Sequence, residues 1–364
     1  MSFPVRGTCH TVYERRTGSR AAKKEAVMYE QKVRETIGAL RLGAPMSDGP
    51  LSILPLRSVR EGAARYVLLD QALSRHTLTV TEVSDAGSVP YLQAVNMGPW
   101  PVLIFDGEEL VGAKQNRIVN TTILGGVGKA VLPVSCVENG RWSRRAGVFS
   151  SGSYASHPAL RREKERQVRE SMTRHARKRA AEADWNGAVE EPQYLRAQHF
   201  SSDQGAVWDE VARTSRILGG HSPTMAMADT YEASKADLEK ILRTFEIDLA
   251  DSGEDVVGAV VFLGGRFVCL DLLRPAKRFA HLYPKLLRGY ALEALLGGPK
   301  VTKDFDPEAS ALRSFAQIME SNMEEHAAAD LGYEVRLEGE WVSGSGLVWE
   351  EELIQLSVFP KVVA

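Results

Sequence analysis

Asp106-Gly-Glu-Glu-Leu-Val-Gly-Ala-Lys-Gln-Asn-Arg117, followed by Pro133-Val-Ser-Cys-Val-Glu-Asn-Gly-Arg-Trp142, crowds acids, bases and amides between apolar runs that read as strands. Val102-Leu-Ile-Phe105 leads into the first block through the turn signal Asp106-Gly107, and Asn139-Gly140 is a second turn signal. Leu132, Val134, Cys136 and Glu138 share one face of a period-two strand, so a carboxylate rides on the face that enters the core. A buried charge is costly unless it is partnered. Glu138 is therefore expected to hold a partner or a ligand.

Working outward, Leu51-Ser-Ile-Leu-Pro-Leu56 and Thr77-Leu-Thr-Val-Thr-Glu-Val83 alternate as strands around a short helix over Leu68–Leu73. Arg117–Leu124 and Ala130–Val134 complete a compact antiparallel unit, with Gly125, Gly126 and Gly128 read as a hairpin turn. That glycine loop lacks the Lys-Ser/Thr and the following helix of a phosphate-binding loop. Upstream, Ala26, Tyr29, Val33, Ile37 and Leu40 recur at helical spacing within Ala21–Leu42, and Gly43 and Pro45 stop the pattern.

Downstream, amphipathic helices are expected over Gly205–Leu218, Ala233–Phe245, Ala276–Leu296 and Glu308–His326. A hairpin through Gly264-Gly265 joins Val256–Leu263 to Phe267–Leu272, and three strands close the chain over Tyr333–Leu337, Gly346–Trp349 and Leu353–Phe359. The fold class is α+β: a β-rich N-terminal half, a small antiparallel sandwich or barrel, with a mixed helix/strand C-terminal half. The expected division is a helical extension over 1–48, a β-rich motif-bearing unit over 49–150, a basic helix, lid or linker over 151–200, and an α+β unit over 201–364.

With 364 residues and 44% hydrophobic content the chain builds a sizeable core. A net charge of -2 gives no global attraction to nucleic acid or membrane, and no apolar run approaches the roughly 18 residues of a membrane span. A cytoplasmic location is the default expectation. Cys9, Cys136 and Cys269 are too far apart for a zinc pair and odd in number, against a disulfide framework. The eight histidines form no HExxH or His-x-His pair. Between His157 and Ala181, Arg161, Arg162, Lys164, Arg166, Arg169, Arg174, Arg177, Lys178 and Arg179 stand against Glu163, Glu165 and Glu170. Acids and bases three and four residues apart read as a solvated helix or lid, and without interleaved aromatics nucleic acid binding is not favoured.

Glu108 and Glu109 point to opposite sides of a regular strand, so one of them faces Glu138. Paired carboxylates suit a divalent cation such as magnesium, or a division of general acid and base roles. Neutralisation by Lys114, Arg117 or Arg141 in a structural network is the alternative. Lys114, Gln115, Asn116 and Arg117 offer forks for phosphate and amides for ribose or base, and Trp142 offers a ring for a purine. Cys136 as a nucleophile needs a lowered pKa, which the neighbouring Glu138 opposes.

The Asp106–Asn120 and Pro133–Trp142 blocks, with Leu69-Asp-Gln-Ala72, Val80-Thr-Glu-Val83, Gly87–Leu92, Gln204–Trp208, Phe279–Tyr290 and Leu356–Phe359, resemble the ARG and rhodanese-phosphatase-superfamily-associated protein domain family. The resemblance spans roughly residues 50 to 360. It implies a bacterial protein associated with ADP-ribosylglycohydrolases and phosphatase-like proteins, acting in NAD and ADP-ribose metabolism, and brings no catalytic set with it. Glu108, Glu109, Lys114, Gln115, Asn116, Arg117, Cys136, Glu138, Arg141 and Trp142 match its motif most closely.

The first expectation is thus binding and hydrolysis of an ADP-ribose-like or NAD-derived nucleotide. Glu108, Glu109, Glu138 and Cys136 would be the catalytic candidates, and Lys114, Gln115, Asn116, Arg117, Arg141 and Trp142 the ligand-binding ones. A non-catalytic sensor or assembly module, meeting a second copy or a partner protein through residues 21–42, is the second. Nucleic acid binding through 157–181 is the third.

Overall fold

The computed structural model describes residues 19–59, 62–84, 87–143, 146–183, 191–246, 255–298, 301 and 303–361; Cys9 and the start of the expected extension lie outside them. In chain order the elements begin with α1 (Ser19–Ala39), β1 (Arg41–Leu42), β2 (Met46–Asp48), β3 (Leu51–Arg57), β4 (Val67–Leu68), α2 (Leu69–Ser74), β5 (Leu78–Glu82), β6 (Tyr91–Asn96) and β7 (Val102–Ile104). There follow β8 (Glu108–Gly112), β9 (Arg117–Val119), β10 (Ile123–Gly125), β11 (Gly128–Cys136), β12 (Phe149–Ala155), α3 (Pro158–Ala183), α4 (Gln193–Gln198) and α5 (Gln204–Ile217). The chain continues through α6 (Met227–Ala233), α7 (Lys235–Phe245), β13 (Val256–Leu263), β14 (Arg266–Leu273), α8 (Ala276–Leu295), α9 (Pro307–Glu320), β15 (Asn322–Ala327), β16 (Tyr333–Glu338), β17 (Val342–Trp349) and β18 (Glu352–Pro360). The architecture is α+β, with a β-rich N-terminal half.

A nine-stranded sheet runs β1-β3-β13-β14-β18-β17-β16-β15, with β2 also on β3. Because β13 is apolar at nearly every position, it is buried on both faces. Val257, Val260 and Phe262 meet α1 and α9, while Ala259 and Val261 meet α8. Val33 and Ile37 of α1 belong to that first layer, so the helix expected to dock a partner turns these apolar residues onto its own sheet. Leu51–Arg57, expected within the 49–150 unit, pairs instead with β13 across 200 residues of chain, and the two halves interlock.

The remaining strands form a six-stranded sheet, β12-β8-β9-β11-β6-β5, and a three-stranded one, β10-β7-β4. Asp106-Gly107 is therefore a corner between sheets rather than a hairpin. Gly107 has φ 80°, and a Cβ there would fall on Ser156 Oγ. The glycine loop at 125–128 likewise departs from its expected hairpin, since β10 pairs with β7 and β11 with β6 and β9. The helix expected to reach His326 ends at Glu320. Apolar positions at helical spacing stop at Ile318 and Met319, and the next six residues pair with β16 from Asn322↔Glu338 to Ala327↔Tyr333.

The basic segment is helical, but its first turns are core. Leu160, Arg161, Lys164, Val168 and Met172 are buried, and only the second half presents a solvated face. Arg161 donates two bonds to Asp271, at 2.7 and 2.8 Å, and one to Asp106 at 3.2 Å; Lys164 reaches Asp106 at 2.8 Å. Arg166 is held by Glu163 and Glu170, Arg169 by Glu338, and Arg179 by Glu191. Those pairings leave much less than the formal excess of positive charge for an anionic polymer. Among the described residues no helix is long and apolar enough to cross a membrane.

Candidate functional site

β8 and β9 run antiparallel, with Glu109 opposite Ile118 and Leu110 opposite Arg117. The turn between them carries Lys114, Gln115 and Asn116. Ala113 there sits at φ 38° while fully buried, a left-handed conformation that an alanine holds only when its surroundings impose it.

Arg141 supplies much of that constraint. Its Nη1 donates to the carbonyls of Ala113 and Ser143, both at 2.8 Å, while Nε and Nη2 grip Glu138 at 2.8 and 2.6 Å. Glu138 also accepts from the Asn116 backbone N–H at 3.0 Å and from Thr224 Oγ1 at 2.9 Å. Burial alone would raise this carboxyl. Hydrogen bonds from Arg141, Asn116 and Thr224 outweigh it, and the group falls below the usual glutamate range. With four donors on two oxygens, Glu138 positions the turn and has little acceptor capacity left for chemistry.

Glu109 has the opposite character. Its side chain is 1% exposed; Oε1 accepts from Asn116 Nδ2 at 3.2 Å, and Oε2 has no hydrogen-bond partner. Burial pushes its pKa up to about 8, with the Asn116 bond lowering it and the charge of Glu138 raising it. Asn116 thus touches both carboxylates, one ionised and one protonated at neutral pH. Environments that split a pair of carboxyl pKa values assign acid and base character.

Arg117 is fully buried, and its one hydrogen bond goes to the neutral Gln115 Oε1 at 3.1 Å. Its Nε and Nη2 have no partner, and burial pulls its pKa down. The guanidinium lies 5.8 Å from the centre of the Trp142 ring, with Lys114 Nζ at 5.2 Å from the same ring. Trp142 is half-exposed, so the indole is the wet side of a dry cationic site. Glu82, at the end of β5, accepts from the Lys114 backbone N–H at 3.4 Å, and its Oε2 also lacks a partner.

Eight of the ten candidates therefore belong to one connected group: Glu109, Lys114, Gln115, Asn116, Arg117, Glu138, Arg141 and Trp142. Cys136 adjoins it, its Sγ donating to the Glu138 carbonyl at 3.4 Å. Burial pushes the thiol up, with Arg117 pulling the other way, which disfavours the thiolate a nucleophile needs. Glu108 stands apart. It faces α8, accepting from Lys285 Nζ at 2.8 Å and the Phe105 N–H at 2.9 Å. Thr224, Glu82 and Gln204, which binds both backbone groups of Cys136, were not singled out as site residues because nothing local marks them. Among the described residues no group of three or more His, Cys, Asp or Glu is placed to hold a metal ion, so the magnesium expectation finds no ligand set.

No curated protein and no solved structure matches the chain. The motif that builds this site falls within a family match covering residues 39–359, and the chain belongs to the ARG and Rhodanese-Phosphatase-superfamily-associated Protein domain family.

Proposed function

We propose that this site binds an ADP-ribose-like or NAD-derived nucleotide and hydrolyses a glycosidic or phosphate bond in it. The observation that carries the reading is Arg117: a desolvated guanidinium with two unpartnered N–H-bearing nitrogens and a single neutral hydrogen-bond partner. A buried cation of this kind calls for an anion. A phosphate supplies one, accepted by Arg117 and Lys114, while the half-exposed Trp142 ring stacks on the base. Glu109 then serves as the proton donor, since it keeps its proton at neutral pH and its Oε2 engages no other group. Glu138 and Arg141 hold the turn that presents these groups.

Calorimetric titration with ADP-ribose and NAD, with and without magnesium, tests the proposal. Saturable heat is expected for at least one of them, lost in Arg117→Met; no heat and no turnover in the unaltered protein rejects it. The saturation of Glu138 by its own neighbours favours a second reading, a sensor that binds without turnover. Glu109→Gln separates the two. Hydrolysis predicts retained binding and lost turnover, whereas the sensor shows no turnover in either form.

A further inference from the structure

Where α3, α4 and β15 meet, far in sequence from the motif blocks, a cavity of about 110 Å³ is lined by Arg179, Arg196, His199, His326 and Glu191 over an apolar floor that includes Met172. Histidines scattered in sequence are gathered here. The His175 ring lies against His199 with centroids 4.8 Å apart, and its Nδ1 donates to the Ser171 carbonyl at 2.9 Å, which leaves Nε2 to take a proton. The wall holds two guanidinium groups and two imidazoles against one carboxylate. Glu191 is shared, 3.1 Å from His199 Nε2 and 3.3 Å from Arg179 Nη1, while Arg196 Nη2 donates to its backbone carbonyl at 3.4 Å.

The surrounding acids do not supply the missing counter-charge. Asp330, near Arg196, directs Oδ2 to the Gly126 N–H at 2.9 Å. Glu324 lies 3.7 Å from His326 but is two-thirds exposed, and Arg336, beyond His326, is engaged by Glu334 and Glu165. Burial lowers the pKa of both His199 and His326. The charges of Arg179 and His175 add to the effect on His199, and that of Arg336 to the effect on His326.

We propose that this cavity is a site for a small tetrahedral oxyanion, inorganic phosphate or the phosphoryl end of a monoester, bound together with protons. Donors reach it from three separate elements, as a tetrahedral acceptor requires and a planar carboxylate does not. The volume exceeds that of several waters, each about 30 Å³. Arginine forks supply charge-assisted bonds, and an arriving anion raises the pKa of the imidazoles. Protons are therefore taken up on binding. Affinity rises as pH falls from 8 to 6.

Calorimetry on the full chain with inorganic phosphate, and separately with phenyl phosphate, at pH 6 and pH 8 is the test. Expected are saturable binding of at least one ligand, about tenfold tighter at pH 6, with proton uptake revealed by buffers of different ionisation heat. The arm that binds more tightly identifies the source, free ion or monoester. Arg196→Gln and His199→Asn should each weaken binding at least about tenfold, and Arg117→Met should leave it intact, which separates this site from the nucleotide site. The exposed Arg179→Gln is the variant least exposed to folding failure and should weaken binding too. No saturable binding at pH 6 overturns the proposal. So does binding that survives in Arg179→Gln and moves the imidazole NMR signal of exposed His221 as much as those of His199 and His326, the mark of an adventitious ion only.

Discussion

Two clusters of buried charge flank the Asp106-Gly107 corner, and they are built on opposite principles. On one side Asp106 and Asp271 face Arg161 and Lys164, two acids against two bases, with Ser357 Oγ and Tyr290 OH completing Asp271 at 2.7 and 2.6 Å and the rings of Phe105 and Phe359 flanking the guanidinium. On the other side Arg117 and Glu109 each retain side-chain atoms that nothing in the structure meets. The closed cluster ties α3, β14 and β18 to the corner. The open one has its unmet valences where a ligand would supply partners. Burial alone does not separate a structural charge from a functional one; completeness of partnering does.

The largest expected effect follows from the closed cluster. Arg161→Met leaves Asp271 buried against Cys269 and Tyr290 without its bidentate partner, and should cost about 3–5 kcal/mol. The double change Arg161→Met with Asp271→Leu should recover most of that loss, because no uncompensated charge then remains at Asp271. Denaturant titration of both variants checks this. A single variant within about 1 kcal/mol of the parent would remove the cluster's structural role.

The rule that a carboxylate on a core-facing strand position needs a partner was legible in the sequence, and it marks Glu138 correctly. Applied two residues beyond Cys269 it marks Asp271 just as strongly. What the chain alone does not reveal is where the partner comes from. Glu138 finds Arg141 three residues away, a spacing visible in Pro133–Trp142. Asp271 finds Arg161 from 110 residues upstream, inside a run whose alternating charges read as solvated, because the face of α3 that packs against the sheets is itself charged. The same limit hid the β3–β13 pairing and the gathering of His175, His199 and His326, both fixed by long-range packing. The separation of Glu108 from Glu109 was legible, since it needs only the two-residue repeat of a strand.

Of intermediate size is a pH effect with opposite signs in the two clusters. Glu109 has a folded pKa of about 8 against a reference of 4.5, so between those values the folded form holds a proton that the unfolded form has lost. Stability must therefore fall as pH rises through that window, by at most about 1.4 kcal/mol per pH unit. Asp271 is held below its reference of 3.8, chiefly by Arg161 acting against burial, so its contribution is present above that value and disappears on acidification. Glu109→Gln should flatten the neutral limb and leave the acid limb alone. Unfolding midpoints at pH 3, 5 and 8 read both limbs, and an unchanged drop from pH 5 to pH 8 in the variant would mean that Glu109 is ionised in the native protein.

The smallest effect has the most informative sign. Replacing a fully partnered buried arginine destabilises, but Arg117 has two nitrogens without acceptors, and a buried unmet donor costs about 1–3 kcal/mol. Arg117→Met removes that cost while filling similar volume, and loses the 5.8 Å contact with the Trp142 ring, worth about 0.5–1 kcal/mol at a partly exposed site. The balance predicts a protein more stable than its parent by about 1 kcal/mol. An arginine retained in the fold at a stability cost is intelligible only if something else meets its charge, and the residue that stabilises when deleted should be the one whose loss abolishes nucleotide binding. If Arg117→Met instead destabilises as Arg161→Met does, the guanidinium is already satisfied within the fold, and the contrast between the two clusters dissolves.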